Sequence, residues 1–303
     1  MRSWLRSALW AACSSTFVLA CAVIPGDDAG VDGAQVVVGS DVIRETSGRI
    51  DGLRTITVEG SSIRIATWNE TSGGVTAPYF AINLGRGWHE AKRTTYDVPM
   101  RSGRLDPVRA PSSLVAGERG RGLHVVQCVA QPLSAFWRAI EAAGGEVHHY
   151  LHGNAQIVRG DAKVIERVAK LSFVRAVTPL RETDRVDQAL AASLGQPKTV
   201  RVNVVLVDPT SDRRALEDRV RALGGRVVVS DPQGILVEAE IGADQLTGLL
   251  RLPEVLWIEE SRPMEVDYDI ANEQGGATCL QSLPPVGDPA LPSYTRTGIR
   301  GHI

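Results

Sequence analysis

An internal repeat constrains this chain more than any other feature of its sequence. Phe136, Ile140 and Ala143 correspond to Leu216, Val220 and Leu223, each pair 80 positions apart, and Gly144-Gly145 matches Gly224-Gly225 at the same offset. Ala162, Ile165, Val168 and Leu171 then correspond to Ala243, Leu246, Leu249 and Leu252 at an offset of 81. The one-residue change falls between two apolar stripes of helical spacing, where a loop absorbs it. Apolar positions and a glycine pair held in register over such a length point to duplication.

Each copy reads as strand, helix, strand, strand, helix, strand. In the first, Leu123 to Ala130 is a β run and Leu133 to Ala143 carries a helical stripe. Val147 to Leu151 and Ala155 to Val158 flank a His152-Gly153-Asn154 turn, and Val174 to Val177 closes the unit. The second copy has strands at Val200 to Val207, Arg226 to Val229, Ile235 to Ala239 and Val255 to Ile258, with helices near Ser211 to Leu223 and Ala243 to Leu250. Ser211 and Asp212 are N-cap types, and Gly144 and Gly224 suit C-terminal stops. This order predicts a four-stranded antiparallel sheet with both helices on one face, the ferredoxin-like arrangement. The opposite face is left to solvent or to a partner. The expected fold class is α+β: a β-rich N-terminal module followed by two tandem ferredoxin-like (βαββαβ) units, at 123–187 and 198–268.

Ahead of the repeat, residues 31–111 form short β-type runs, among them Val36 to Val38, Leu53 to Val58, Ile63 to Trp68 and Tyr79 to Leu84. Breaks such as Gly60-Ser61-Ser62 separate them at hairpin intervals. Arg101 to Gly122, with Pro107 and Pro111, reads as a linker. Residues 1–22 read as a secretory signal peptide: Arg2 and Arg6, an apolar run from Ala8 to Ala22, then Pro25 and Gly26. Ala20-Cys21-Ala22 fits a signal-peptidase site, while Val18-Leu19-Ala20-Cys21 resembles a bacterial lipobox that would leave Cys21 lipidated. Both routes stay open, and either places the protein outside the cytoplasm, extracellular or periplasmic. Beyond residue 30 no apolar run reaches the roughly 18 residues of a membrane-spanning helix, so membrane attachment is expected only through a lipid on Cys21.

Composition narrows the chemistry. Net charge is −2, and the basic residues are 29 Arg and 4 Lys with acidic ones interspersed, which is not the concentrated basic face of a nucleic-acid binder. There is no G-x-x-x-x-G-K-[ST] loop and no strand leading into G-x-G-x-x-G, so no nucleotide or other cofactor is expected. No C-x-x-C pair exists, and Cys128 and Cys279 read as two separate thiols rather than a disulfide scaffold. His148, His149 and His152 are the densest group of metal-ligand types, but strand alternation places His148 and His152 on one face and His149 on the other. Asp267 and Asp269 lack the spacing of a calcium loop, and Glu259-Glu260 is a weaker case. No metal site is expected. Trp68, Trp88, Trp137 and Trp257 read as core residues.

Gln131-Pro132-Leu133, His152-Gly153-Asn154 and Ile157-Val158-Arg159 resemble the prodomain of large secreted bacterial subtilisin-like serine proteases. Asp269-Ile270-Ala271-Asn272, Cys279-Leu280-Gln281-Ser282 and Gly298-Ile299-Arg300-Gly301 resemble the opening segment of the catalytic domain of such proteases, so that 269–303 reads as its truncated start. The resemblance implies a propeptide that acts as intramolecular chaperone and inhibitor of a protease domain in cis. It also implies an inhibitory tail through the active-site cleft, carried by Glu260 to Tyr268 with Arg262, Pro263, Met264 and Tyr268 at the specificity pockets. The chain departs from the family in lacking D-[ST]-G, H-G-T-H and G-T-S-M-A, so no catalytic triad is carried over and none of its residues is assigned a catalytic role. A second class remains open: an exported lipoprotein whose tandem modules bind a protein or peptide without catalysis.

Overall fold

The computed structural model describes residues 21–25, 33–101, 103–109, 120–211 and 213–261. Among these, β1 (Cys21–Pro25), β2 (Ala34–Val38) and β3 (Asp41–Thr46) make a three-stranded sheet in that order. A second sheet runs β4-β5-β6-β7, from β4 (Arg49–Thr57), β5 (Arg64–Ser72), β6 (Val75–Asn83) and β7 (Lys92–Arg93). All neighbours are antiparallel, as hairpin-length connections require. The two sheets share a core of Val36, Val38, Ile50, Ala66, Trp68 and Ala81. A half-buried ion pair ties them, Arg44 Nε to Glu70 Oε2 at 2.7 Å, with Thr46 donating to the same carboxylate at 2.6 Å. Those hydrogen bonds hold the Glu70 carboxyl below its usual pKa.

Arg101 to Leu105 is not linker. Strands β8 (Val98–Met100) and β9 (Gly103–Leu105) close a hairpin there, because the apolar Val98 and Leu105 have a sheet to lie on. That sheet, ordered β11-β12-β10-β13, is built from β10 (Gly122–Cys128), β11 (Glu146–Leu151), β12 (Ala155–Gly160) and β13 (Val174–Pro179). Helices α1 (Ser134–Ala142) and α2 (Ala162–Val168) fall between the strands. Phe136 and Ile140, one turn apart on α1, meet Ile165, Val168 and Phe173 over Val126, Cys128 and Val158, with the Phe136 and Phe173 rings stacked at 4.1 Å. Val58, Ile65, Phe80 and Ile82 of the N-terminal β region join this core.

After a 3-10 turn at Glu182–Asp184 and α3 (Gln188–Ala191), the pattern recurs. It runs β14 (Thr199–Leu206), α4 (Arg213–Ala222), β15 (Arg226–Ser230), β16 (Leu236–Gly242), α5 (Leu246–Leu250) and β17 (Val255–Glu260), in sheet order β15-β16-β14-β17. Its core is aliphatic: Val202, Val204 and Leu206 from the sheet against Leu216, Val220, Leu246 and Leu249. Gly144 (φ +90) and Gly224 (φ +79) end α1 and α4 in the left-handed region. The next glycine serves packing instead: a Cβ on Gly145 would lie 2.8 Å from Ile140 Cγ2, and one on Gly225 2.8 Å from the Glu240 carbonyl. The cap expected from Ser211 is not formed, since its buried hydroxyl has no hydrogen-bond partner, and Asp212 lies outside the described residues.

Candidate functional site

The two four-stranded sheets differ in what covers the face away from their helices. On the first, Leu123 and Val125 of β10 and Ala155 and Ile157 of β12 point away from α1 and α2. They are buried beneath Val98 and Leu105 of the hairpin, together with Val207 and Leu256 from the second unit. A polar network fixes the hairpin. Gln127 Nε2 donates to the carbonyls of Tyr96 (2.6 Å) and Gly153 (2.9 Å), and Tyr96 Oη donates to the Val129 carbonyl at 2.6 Å. Arg175 donates to Gln127 Oε1 and to Asp106 at 3.1 Å, and its guanidinium lies 4.4 Å from the Tyr96 ring centroid. Burial pushes the Tyr96 phenol up to about 12. His152-Gly153-Asn154 is the turn between β11 and β12, and a Cβ on Gly153 would sit 2.5 Å from the Asp97 carbonyl, so only glycine lets the chain entering the β8–β9 hairpin approach. The first sheet therefore does not offer its helix-free face to solvent.

The second sheet keeps more of that face open, and it is charged. Arg201 grips Glu238 through two hydrogen bonds (2.7 and 3.0 Å), and Arg226 meets Glu240 at 2.8 Å. Trp257 donates to Glu259 at 3.1 Å and carries the Arg101 guanidinium 4.4 Å from its ring. At one end Val229, Ile235 and Leu236 are exposed, Val229 by 53%. The free edge of β17 is partly filled: Ile258 N donates to the Arg185 carbonyl (2.8 Å) and Asp187 N to the Ile258 carbonyl (2.9 Å), making Val186 a short parallel addition.

Family models and curated proteins give no match to this chain. Among solved structures it is similar to the small subunit of acetolactate synthase from Thermotoga maritima, at 19% identity over 46% of this chain and 91% of that one. The TM-score of 0.17 is too low for that likeness to carry an argument.

Of the residues singled out from sequence, Arg262, Pro263, Met264 and Tyr268 lie outside the described residues, as do Asp267, Asp269 and Cys279. Cys21 is the first residue of β1, paired in register with Val38. Cleavage before Cys21 keeps all five register pairs between β1 and β2, whereas cleavage after Ala22 removes two of them. Cys128 is a buried thiol whose pKa is pushed up to about 12 by desolvation, outside the range of a nucleophile at neutral pH. Trp68 is buried as expected, but Trp137 is 46% exposed on α1.

The histidines are arranged differently from simple alternation. The β11–β12 register shifts between Val147 and Tyr150, and this bulge turns both His148 and His149 toward the loop after β14. His149 Nε2 lies 2.9 Å from the Val207 carbonyl, and His148 Nδ1 lies 3.4 Å from Asp208 Oδ2. Arg159 joins the same cluster, 3.5 Å from Asp208 and 2.6 Å from Glu146, which Arg121 also contacts. Among the described residues no group of three or more His, Cys, Asp or Glu is placed to hold a metal ion. Sequence reasoning missed this cluster because its two halves are some 60 residues apart and a bulge decides which face the histidines take.

Proposed function

We propose that this chain is the N-terminal propeptide portion of an exported subtilisin-like serine endopeptidase precursor, acting as chaperone and inhibitor of the protease domain in cis. In this reading 123–187 and 198–268 are duplicated ferredoxin-like units. Register pairs support the duplication: Val147↔Val158 corresponds to Val227↔Ala239, and Val126↔Val177 to Val204↔Ile258. The first strands are offset by 78 (204 minus 126), the later ones by 80 and 81 (227 minus 147, 239 minus 158).

The asymmetry between the two sheets carries the assignment of roles. The first unit buries its helix-free face under its own hairpin and its neighbour, so it serves as a scaffold. The second keeps a charged, partly open face, and its edge strand β17 is the one that leads into 261–268. A sheet that docks on a protease while its outgoing strand lies in the cleft as an extended, main-chain-paired segment needs that combination. Arg262, Pro263, Met264 and Tyr268 are then the residues offered to the specificity pockets.

The test is a titration of the purified chain against a broad-specificity subtilisin-like protease. Inhibition with an endpoint of one protease per chain is expected, followed by slow cleavage within 262–268. Full protease activity beside an intact chain overturns the proposal. The coding DNA beyond the codon for Ile303 gives a second check: it should run on into D-[ST]-G, H-G-T-H and G-T-S-M-A. A stop codon there instead selects an exported lipoprotein that binds a protein or peptide.

A further inference from the structure

The cluster around His148 is the polar part of the contact between the two α+β units, and nothing in the proposed function uses it. His148 and His149 come from β11 and Arg159 from β12 of the first unit, whereas Val207 and Asp208 belong to the loop after β14 of the second. The apolar part lies alongside, with Val207 and Leu256 set against Leu123, Val125 and Ile157.

Charge in the cluster is already balanced. Two carboxylates, Glu146 and Asp208, face two guanidiniums, Arg121 and Arg159, and Arg159 bridges both acids. The His148 side chain is only 9% exposed, its Nε2 is buried without a hydrogen-bond partner, and the nearest carboxylate oxygen to that atom is 3.9 Å away on Glu146. The remaining titratable neighbour is His149, whose ring centroid is 6.5 Å off. A proton on His148, itself buried, therefore adds a fifth, positive charge to a neutral set whose Arg121 and Glu146 side chains are partly exposed.

We propose that the contact between the two α+β units is an acid-labile hinge triggered by protonation of His148. Burial and the Arg159 charge push the His148 pKa below its ordinary value, outweighing the attraction of Asp208 and Glu146. When the units part, the imidazole is hydrated and recovers the ordinary value near 6.5. The sign follows: the open state binds more protons, so the closed contact is fully stable above pH about 6.5 and weakens as pH falls toward the depressed value. Glu146 and Asp208 are both held below their usual values, by hydrogen bonds from Arg121 and Arg159 and from Thr210 that overcome the opposing effect of burial. They stay charged through this window, which leaves His148 as its trigger. Opening uncovers part of the first sheet's helix-free face.

Hydrogen exchange of the full chain at several pH values, corrected for intrinsic rates, tests this. Protection of amides in β11 and in 207–211 should fall by up to about tenfold per pH unit from pH 6.5 downward, with β12 and β16 unchanged. His148→Gln should abolish the pH dependence, and His149→Gln should retain it. Flat protection in the wild type, or the same pH dependence in His148→Gln, overturns the proposal. Should His148→Gln fail to fold, the ring titration of His148 by NMR in the wild type decides: a midpoint below that of an exposed histidine supports the hinge, and one at or above it overturns it.

Discussion

Arg185 gives the most direct test of how the second unit is held. It lies between the two sheets in sequence and is 6% exposed. Its guanidinium donates to the carbonyls of Val255 (2.8 Å) and Leu250, with a longer contact to Leu252 at 3.4 Å. These are the last carbonyls of α5 and the first of β17, so one side chain closes the helix end, where positive charge is favoured, and fixes the start of the strand. Arg185→Met keeps the apolar stem and removes the donors. Two hydrogen bonds from a charged group contribute roughly 1.5–3 kcal/mol each, and relief of the desolvation of a buried charge returns part of that. The expected net loss is about 2–4 kcal/mol, seen as a drop of about 1 M in the urea midpoint at a slope of roughly 2–3 kcal/mol/M. Arg185→Lys should fall between, because a single ammonium cannot span carbonyls that a planar fork reaches together. Hydrogen exchange should place the loss in α5 and β17 and leave β10 and β12 protected. A midpoint unchanged within about 0.3 M would refute the capping argument.

Gly225→Ala should cost about 1–3 kcal/mol, because its Cβ meets the Glu240 backbone at 2.8 Å, whereas Gly224→Ala has open space and bears only the left-handed penalty of roughly 1 kcal/mol. Thermal melts that rank the two in reverse would show that helix termination, not close packing, sets the need for the glycine pair. Cys128 should resist alkylation at pH 8 in the folded chain and react at once in denaturant, and its modification under native conditions would contradict its burial. A mature chain starting at Val23 should melt lower than one starting at Cys21, since it lacks the Cys21↔Val38 and Ala22↔Val37 pairs, and mass spectrometry of the exported chain identifies its start.

Elements with a strong local period were legible in the sequence. Phe136/Ile140 and Leu216/Val220 mark α1 and α4 because a four-residue apolar spacing shows itself without tertiary knowledge. Helix α5 proved shorter than its apolar run, Leu246–Leu250 against Ala243 to Leu250, with Ala243 buried in the core just ahead of it. The hairpin Val98 to Leu105 was hidden for the opposite reason: its strands are three residues each and are held by a distant sheet through Gln127 and Arg175. The histidine cluster depends on a bulge that no alternation rule anticipates, and the segment from Arg262 to Tyr268 reads from the family resemblance rather than from local physics.

Two sheets with the same strand order in one chain face a hazard that a single sheet does not, because a strand of one can pair in the other. The cross-strand ion pairs bear on this directly. Glu146 of β11 stands opposite Arg159 of β12, and at the corresponding positions Arg226 of β15 stands opposite Glu240 of β16, the same pair with its charges reversed. Each pair taken alone is partly exposed and contributes little to stability. Exchange of partners sets Glu146 against Glu240 and Arg226 against Arg159, and like charges directly opposite are unfavourable. The reversal therefore acts on which strands pair more than on how tightly they pair. It also places a guanidinium, Arg159, in the first unit, where it reaches Asp208 across the contact between the units.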